Sequence, residues 1–226
     1  MALAAGAWAS PADATTTDPC STLAGEVERI EGIPPGLVHA VALAESGRWS
    51  GDDRSSQPWP WTVTASADSW FLPSKAAALA KVRELQAAGR TNIDVGCMQV
   101  NLGYHGHAFR TLEEALDPVR NVTYGARFLK RLRVETRSWS GATARYHSRD
   151  PDRGQAYRAK VYRLWRELRG GRGDWPQVTR IAPPPLARDP EAGADEAPVR
   201  GRLWSRADGE PGDGPGAGAI AIVRGR

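Results

Sequence analysis

Glu45 is the residue whose type and setting best suit acid–base chemistry. It follows Leu37-Val-His-Ala-Val-Ala-Leu-Ala44, in which residues 40 to 44 are all apolar, so a carboxylic acid ends a helix that is hydrophobic nearly all round. It lies four, seven and eight residues after Val41, Val38 and Leu37 and shares their face. Burial and the negative end of the helix dipole both disfavour the charged form, so both raise its pKa. A carboxyl group still protonated near neutral pH is what a general acid requires. The alternative is a buried glutamate paired with an arginine.

Two other stretches carry groups that could serve the same site. In Asn92-Ile-Asp-Val-Gly-Cys-Met-Gln-Val-Asn101, Gly96 permits a tight turn, Met98 and Val100 can pack, and Gln99 and Asn101 present amides. Paired amides suit sugar hydroxyl and N-acetyl groups. Asp94 in this stretch can serve as a turn or capping residue. In Ala144-Arg-Tyr-His-Ser148, the Tyr146 hydroxyl can orient a carboxylate. Trp49, Trp59, Trp61, Trp70 and Phe71 put five of the 17 aromatic residues within 23 positions just after Glu45. Some would form a hairpin core; the rest can stack on sugar rings and lower the dielectric around Glu45. Tyr104, His105 and His107 are expected along the same groove. No third ligand at suitable spacing accompanies the two histidines, so no metal site is expected, and no cofactor is implied.

The elements that must position these groups are mostly helical. Ser21 is the expected N-cap of a helix to Glu31, stopped by Gly32, and Pro34-Pro35 opens a second helix through Ser46, closed by Gly47. Trp59 to Val63 alternates like a strand, Asp68 falls in the turn, and Trp70-Phe71 begins the return strand. Ser74 caps a helix to about Ala88, and a loop leads into Gly96–Leu102. Helices are expected near Leu112–Leu116, from Pro118 to Glu135, from a Ser140 cap to His147, and over Gly154–Arg169. In the last, Tyr157, Val161, Leu164, Trp165 and Leu168 form the apolar stripe.

Composition bounds the rest. The chain has 226 residues with 30 Lys and Arg against 26 Asp and Glu, a net charge of +4, which suits an anionic partner. The arginines are dispersed without a recognition motif, so nucleic acid is not an expected partner. No run of apolar residues is long enough for a membrane span. From Gly171 to Arg226, 18 of 56 residues are Gly or Pro, so residues 171–226 read as a disordered tail. Residues 1–19 resemble the back half of an export signal without its basic start, or a disordered leader. The folded domain is expected over residues 20–170. Cys20 and Cys97 are the only thiols; in an exported protein they would bridge, and otherwise they are two small apolar residues. Thr17-Asp18-Pro19 before Cys20 does not fit a lipoprotein anchor.

Taken in order, these pieces resemble the soluble lytic transglycosylases of the lysozyme-like superfamily, the SLT domain found in secretion- and flagellum-type murein transglycosylases. Glu45-Ser46 matches their catalytic Glu-Ser pair, and Gly96-Cys97-Met98-Gln99 matches their Gly-Leu-Met-Gln segment. Ala144 to Ser148 is similar to their Ala-Tyr-Asn-Ala-Gly box, with Arg145 inserted and His147-Ser148 in place of Asn-Ala. The Ile33-Pro-Pro-Gly-Leu37 run is also like theirs, and the resemblance covers about residues 20–168.

The resemblance implies a mainly α, lysozyme-like fold of the α+β kind with a small β-hairpin. It implies cleavage of the β-1,4 bond between N-acetylmuramic acid and N-acetylglucosamine in peptidoglycan glycan strands, with Glu45 as single general acid and base. Ser46, Met98, Gln99, Asn101 and Tyr146 become the expected substrate-binding residues. A periplasmic or exported location would follow, with a secretion, pilus or flagellar assembly as a further partner. Asp94-Val-Gly-Cys-Met-Gln-Val-Asn101 is also similar to the Asp-x-Gly-x-x-Gln-x-Asn segment of animal lysozymes, where the Asp is the second catalytic carboxylate. A lysozyme-type muramidase using Glu45 and Asp94 is therefore the alternative. A non-catalytic peptidoglycan-binding assembly subunit is a third, whose mark would be loss of the acid.

Overall fold

The computed structural model describes residues 18–51 and 54–170. Residues 1–17 of the expected leader and the expected tail over 171–226 lie outside the described residues, whereas Asp18 and Pro19, expected in the leader, belong to the first helix as its cap and first residue. The architecture is mainly helical with small antiparallel sheets.

Helix α1 (Pro19–Glu31) is capped by Asp18, whose carboxylate accepts from the Cys20 amide at 2.9 Å. It therefore starts before Ser21, the residue expected to cap it. Ser21 sits in the first turn instead, bonded to Asp18 and to His39 Nε2. Gly32 ends the helix at φ 67°, as its sequence position requires.

Helix α2 (Leu37–Ser46) begins later than the prolines suggested. Gly36 is its N-cap, at φ 83° and without a capping side chain. The cap comes from α1: the Glu28 carboxylate accepts from the Gly36 and Val38 amides at 2.6 Å and from His39 at 3.1 Å. Those amides satisfy Glu28 while it satisfies the helix end, so two buried liabilities cancel. Burial still pushes the Glu28 carboxyl up to about 7, against the pull of its amide donors. Leu37, Val38, Ala40, Val41, Ala42 and Ala44 are all buried, which makes α2 the central helix.

The β region follows directly. Strands β1 (Gly47–Ser50) and β2 (Ser55–Pro58) pair as one hairpin. Strands β3 (Thr62–Ala65), β4 (Asp68–Phe71), β5 (Ile93–Val95) and β6 (Val100–Asn101) form an antiparallel sheet ordered β4-β3-β5-β6. The strand expected over Trp59–Val63 is thus split. Pro58 and Pro60 bracket Trp59 and cannot donate to a ladder, and pairing resumes only at Thr62. Asp68, expected in the turn, opens β4 opposite Ala65, because the turn is made by Ser66 at φ 58° and Ala67.

Helix α3 (Lys75–Ala87) has Ser74 as its cap, as expected. Short helices α4 (Leu102–His105) and α5 (Leu112–Ala115) lead to α6 (Pro118–Thr136), capped by Asp117. Helix α7 (Trp139–His147) is capped by Ser138, two residues before the expected Ser140. Helix α8 (Pro151–Gly170) begins three residues before Gly154, its first turn closed by the Asp150 carboxylate on the Arg153 amide. Its stripe is used as the sequence implied: Tyr157 and Val161 are buried, and Leu164, Trp165 and Leu168 pack against the core. Trp165 donates to the Pro35 carbonyl at 2.8 Å and fixes α8 beside the start of α2.

Cys20 and Cys97 form a disulfide with both residues fully buried. It ties α1 to the turn between β5 and β6 across 77 positions, worth about 4–5 kcal/mol in the chain-entropy description. No helix among the described residues is long and apolar enough to cross a membrane.

Candidate active site

A cleft opens between the sheet and helices α2, α6 and α7, and Glu45 and Asp94 both line it. Glu45 occupies the last turn of α2, where the helix meets β1. Burial pushes its carboxyl up to about 7. Two groups on α8 pull the other way. The Tyr157 hydroxyl donates to Glu45 Oε1 at 2.6 Å, and the Lys160 ammonium favours the carboxylate by its charge. Lys160 Nζ also donates to the Ala44 carbonyl at 2.6 Å, satisfying an acceptor near the C-terminus of α2. The Asp94 charge adds to the upward shift. A glutamate paired with an arginine, the alternative the sequence left open, is not what surrounds it.

Asp94 comes from the middle of β5, paired with Thr64 on one side and Asn101 on the other. Burial pushes its carboxyl up to about 6, moderated by the bond from Asn101 Nδ2 at 2.8 Å. Asn101 is fully occupied by the protein. Its Nδ2 also donates to Asn92 Oδ1, and its Oδ1 accepts from the Gly103 and Tyr104 amides at 2.9 and 3.0 Å. That uses both donors and both acceptor sites of one amide. Asn101 therefore holds Asp94 and caps α4, with nothing left to offer a sugar in this arrangement.

The expected substrate-binding residues separate into two groups. Gln99 and Tyr146 line the cleft beside Glu45. Gln99 sits at φ 45° and directs both Nε2 protons inward, to the Gly96 and Thr62 carbonyls at 3.0 and 3.2 Å. Its Oε1 is the atom left to accept from a ligand. Ser46 and Met98, by contrast, are sealed at 1% and 0% exposure. Ser46 Oγ donates to the Cys97 carbonyl at 2.7 Å, and Met98 packs beneath Gly125. Both position the site from behind and do not reach its surface.

The tyrosine expected to orient a carboxylate has changed places. Tyr146 donates to the Met98 carbonyl at 3.0 Å, and the hydroxyl on Glu45 belongs to Tyr157. Tyr157 reads in the sequence as one member of a core stripe; its only distinguishing signal is a polar tip within that stripe. Asn121 was equally hidden. Fully buried on α6, it donates to the Val95 and Ala115 carbonyls and accepts from the Met98 amide, all at 2.9 Å. Gly96, at φ 81°, lies against this amide: a β-carbon there would come within 2.5 Å of Asn121 Nδ2.

The aromatic wall is only partly the one expected. Trp49, Trp59, Trp61, Trp70 and Phe71 do not line the cleft. Trp59 donates to the Leu72 carbonyl, Trp70 lies under Lys81, and Trp49 is 65% exposed on β1. The cleft is walled instead by Tyr104, His105, Tyr124, Phe128, Tyr146 and His147. His105 accordingly lies in the groove, its Nδ1 bonded with the Tyr124 hydroxyl at 3.0 Å, whereas His107 does not line it. Among the described residues no group of three or more His, Cys, Asp or Glu side chains is arranged to hold a metal ion.

No protein-family model matches this chain, and no curated protein or solved structure matches it either.

Proposed function

We propose that this protein is a peptidoglycan lytic transglycosylase of the lysozyme-like kind, with Glu45 as its general acid and base. The observation that carries the proposal is the state of Glu45: a carboxyl in a cleft wall, pushed up to about 7 and held by Tyr157. Because Oε1 accepts the hydrogen bond from the Tyr157 hydroxyl, the acidic proton belongs on Oε2. It passes to the glycosidic oxygen as the bond from that oxygen to C1 of the muramoyl residue breaks. The substrate's own N-acetyl group supports the positive charge at C1. Glu45, now a carboxylate, takes the proton from the muramoyl 6-hydroxyl, and O6 bonds to C1 to close the 1,6-anhydro ring. Tyr157 and Lys160 stabilise the carboxylate formed between the two steps.

The Cys20–Cys97 bridge fits an oxidising compartment, so the protein acts in the periplasm or after export, on glycan strands of the wall. Service to a secretion, pilus or flagellar assembly belongs to the same proposal and rests on the sequence resemblance alone.

Asp94 favours a second reading. It shares the cleft with Glu45 and is held in place by Asn101, as the second carboxylate of a muramidase would be. Digestion of cell walls by wild type and Glu45→Gln, with masses of the released muropeptides, separates the two. Anhydro-sugar products that vanish with Glu45→Gln are expected. Reducing-end products without anhydro sugar would establish the muramidase, and undiminished digestion by Glu45→Gln would overturn both.

A further inference from the structure

His147 is a cleft residue whose two ring nitrogens are both left without a hydrogen-bond partner among the described residues. It ends α7 and lines the cleft together with Glu45. Its ring lies flat on Tyr157, with centroids 4.7 Å apart and planes 8° from parallel, and Tyr157 is the residue bonded to Glu45. Stacking fixes the plane of the imidazole, which fixes where its edge nitrogens project. Neither nitrogen has a hydrogen-bond partner among the described residues, in contrast to the exhausted amide of Asn101. The ring is only half-buried, so a ligand in the cleft can reach it.

We propose that His147 is a substrate-binding residue that offers an imidazole nitrogen to a hydroxyl or N-acetyl group of the aminoglycan unit beside Glu45. This rests on the proposed glycan-cleaving function and names a contact of the same site. Burial and the charges of Lys160 and Arg153 hold the imidazole below its usual pKa, so near neutral pH it is neutral and carries one donor and one acceptor. A neutral ring also avoids placing a second cation beside Lys160 near Glu45, which would drain the acid of its proton. The sequence carries this residue where the resembling family has asparagine, another side chain with both donor and acceptor.

Two substitutions separate the nitrogens from the stack. His147→Phe keeps a flat ring on Tyr157 and removes both nitrogens; His147→Asn restores a donor and an acceptor and loses the ring. Rates of glycan-strand digestion are measured across substrate concentration, with thermal melting as the check on folding. For His147→Phe, KM is expected to rise about tenfold with kcat within about twofold, the mark of a lost binding contact. His147→Asn is expected to recover most of that KM. An unchanged KM in His147→Phe would overturn the proposal, and so would equal impairment of both variants, which would assign the residue to packing. Glu45→Gln is run alongside. If it digests walls normally, the function itself falls; if it is inactive while His147→Phe keeps its KM, only the His147 contact falls.

Discussion

Glu45 and Asp94 enter one cleft from unlike parts of the molecule. Glu45 comes from the end of a helix that is mostly apolar, and its direct partner is a tyrosine hydroxyl brought from 112 positions away. Asp94 comes from a short strand and is held by an amide seven positions along the same hairpin. Both are shifted upward by burial, Glu45 to about 7 and Asp94 to about 6. Glu45 begins from the higher ordinary value and also feels the charge of Asp94. The pair thus titrates in order: Asp94 gives up its proton first, and its charge helps Glu45 keep one. Unequal environments sort two similar groups into an acid and an anion.

The largest expected effect is on rate. Glu45→Gln should lower wall digestion by about 10³–10⁴-fold, the upper range for losing a general acid. Asp94→Asn should stay within about tenfold of wild type, measured at the pH optimum of each. An Asp94→Asn loss as deep as that of Glu45→Gln would erase the difference between the two groups and favour the muramidase.

Stability should move the opposite way. Because the folded Glu45 holds its proton up to about 7 while an unfolded glutamate releases it near 4.5, the folded state binds more protons between those values. Glu45 is therefore tolerated without penalty below about 4.5, and stability falls as pH rises through 7. Glu45→Gln should melt close to wild type at pH 4. At pH 8 it should be more stable by about 2 kcal/mol, a figure reduced for the partial exposure of the carboxyl. Equal melting differences at both pH values would mean that the folded protein does not hold this group protonated.

The two sides of the cleft also differ in how far they could be read from the sequence. Glu45 was legible because helical periodicity placed it on a buried face without any knowledge of its neighbours. The Asp94–Asn101 hairpin was legible as a motif, yet its amide roles were not: that Asn101 has no free valence depends on Asn92, Gly103 and Tyr104 converging on it. Tyr157 and Lys160 were invisible as site residues. Their spacing says only that one face of α8 is buried, and nothing local says that this face meets the end of α2. The tryptophans misled for the related reason that composition reports clustering along the chain, while Pro58 and Pro60 decide where the strands turn. Capping followed the same division. Ser74 was read correctly because its cap is local, whereas the cap of α2 is Glu28, on another helix.

The smallest effects are the most diagnostic, because they have opposite signs on one observable. If Glu45 is the acid of the proposed reaction, digestion should fall above its pKa, and the basic limb of the pH–rate profile should report that pKa. The Tyr157 bond stabilises the carboxylate; Tyr157→Phe removes it, and the basic limb should move to higher pH. The Asp94 charge destabilises the same carboxylate; Asp94→Asn removes it, and the limb should move to lower pH. A shift of both variants in one direction could not come from a single acid between a donor and an anion. It would mean that the limb reports another group, and the division of labour between Glu45 and Asp94 would have to be withdrawn. Opposed shifts, with the double variant returning near wild type, would place both influences on Glu45 and make its proton the one the reaction uses.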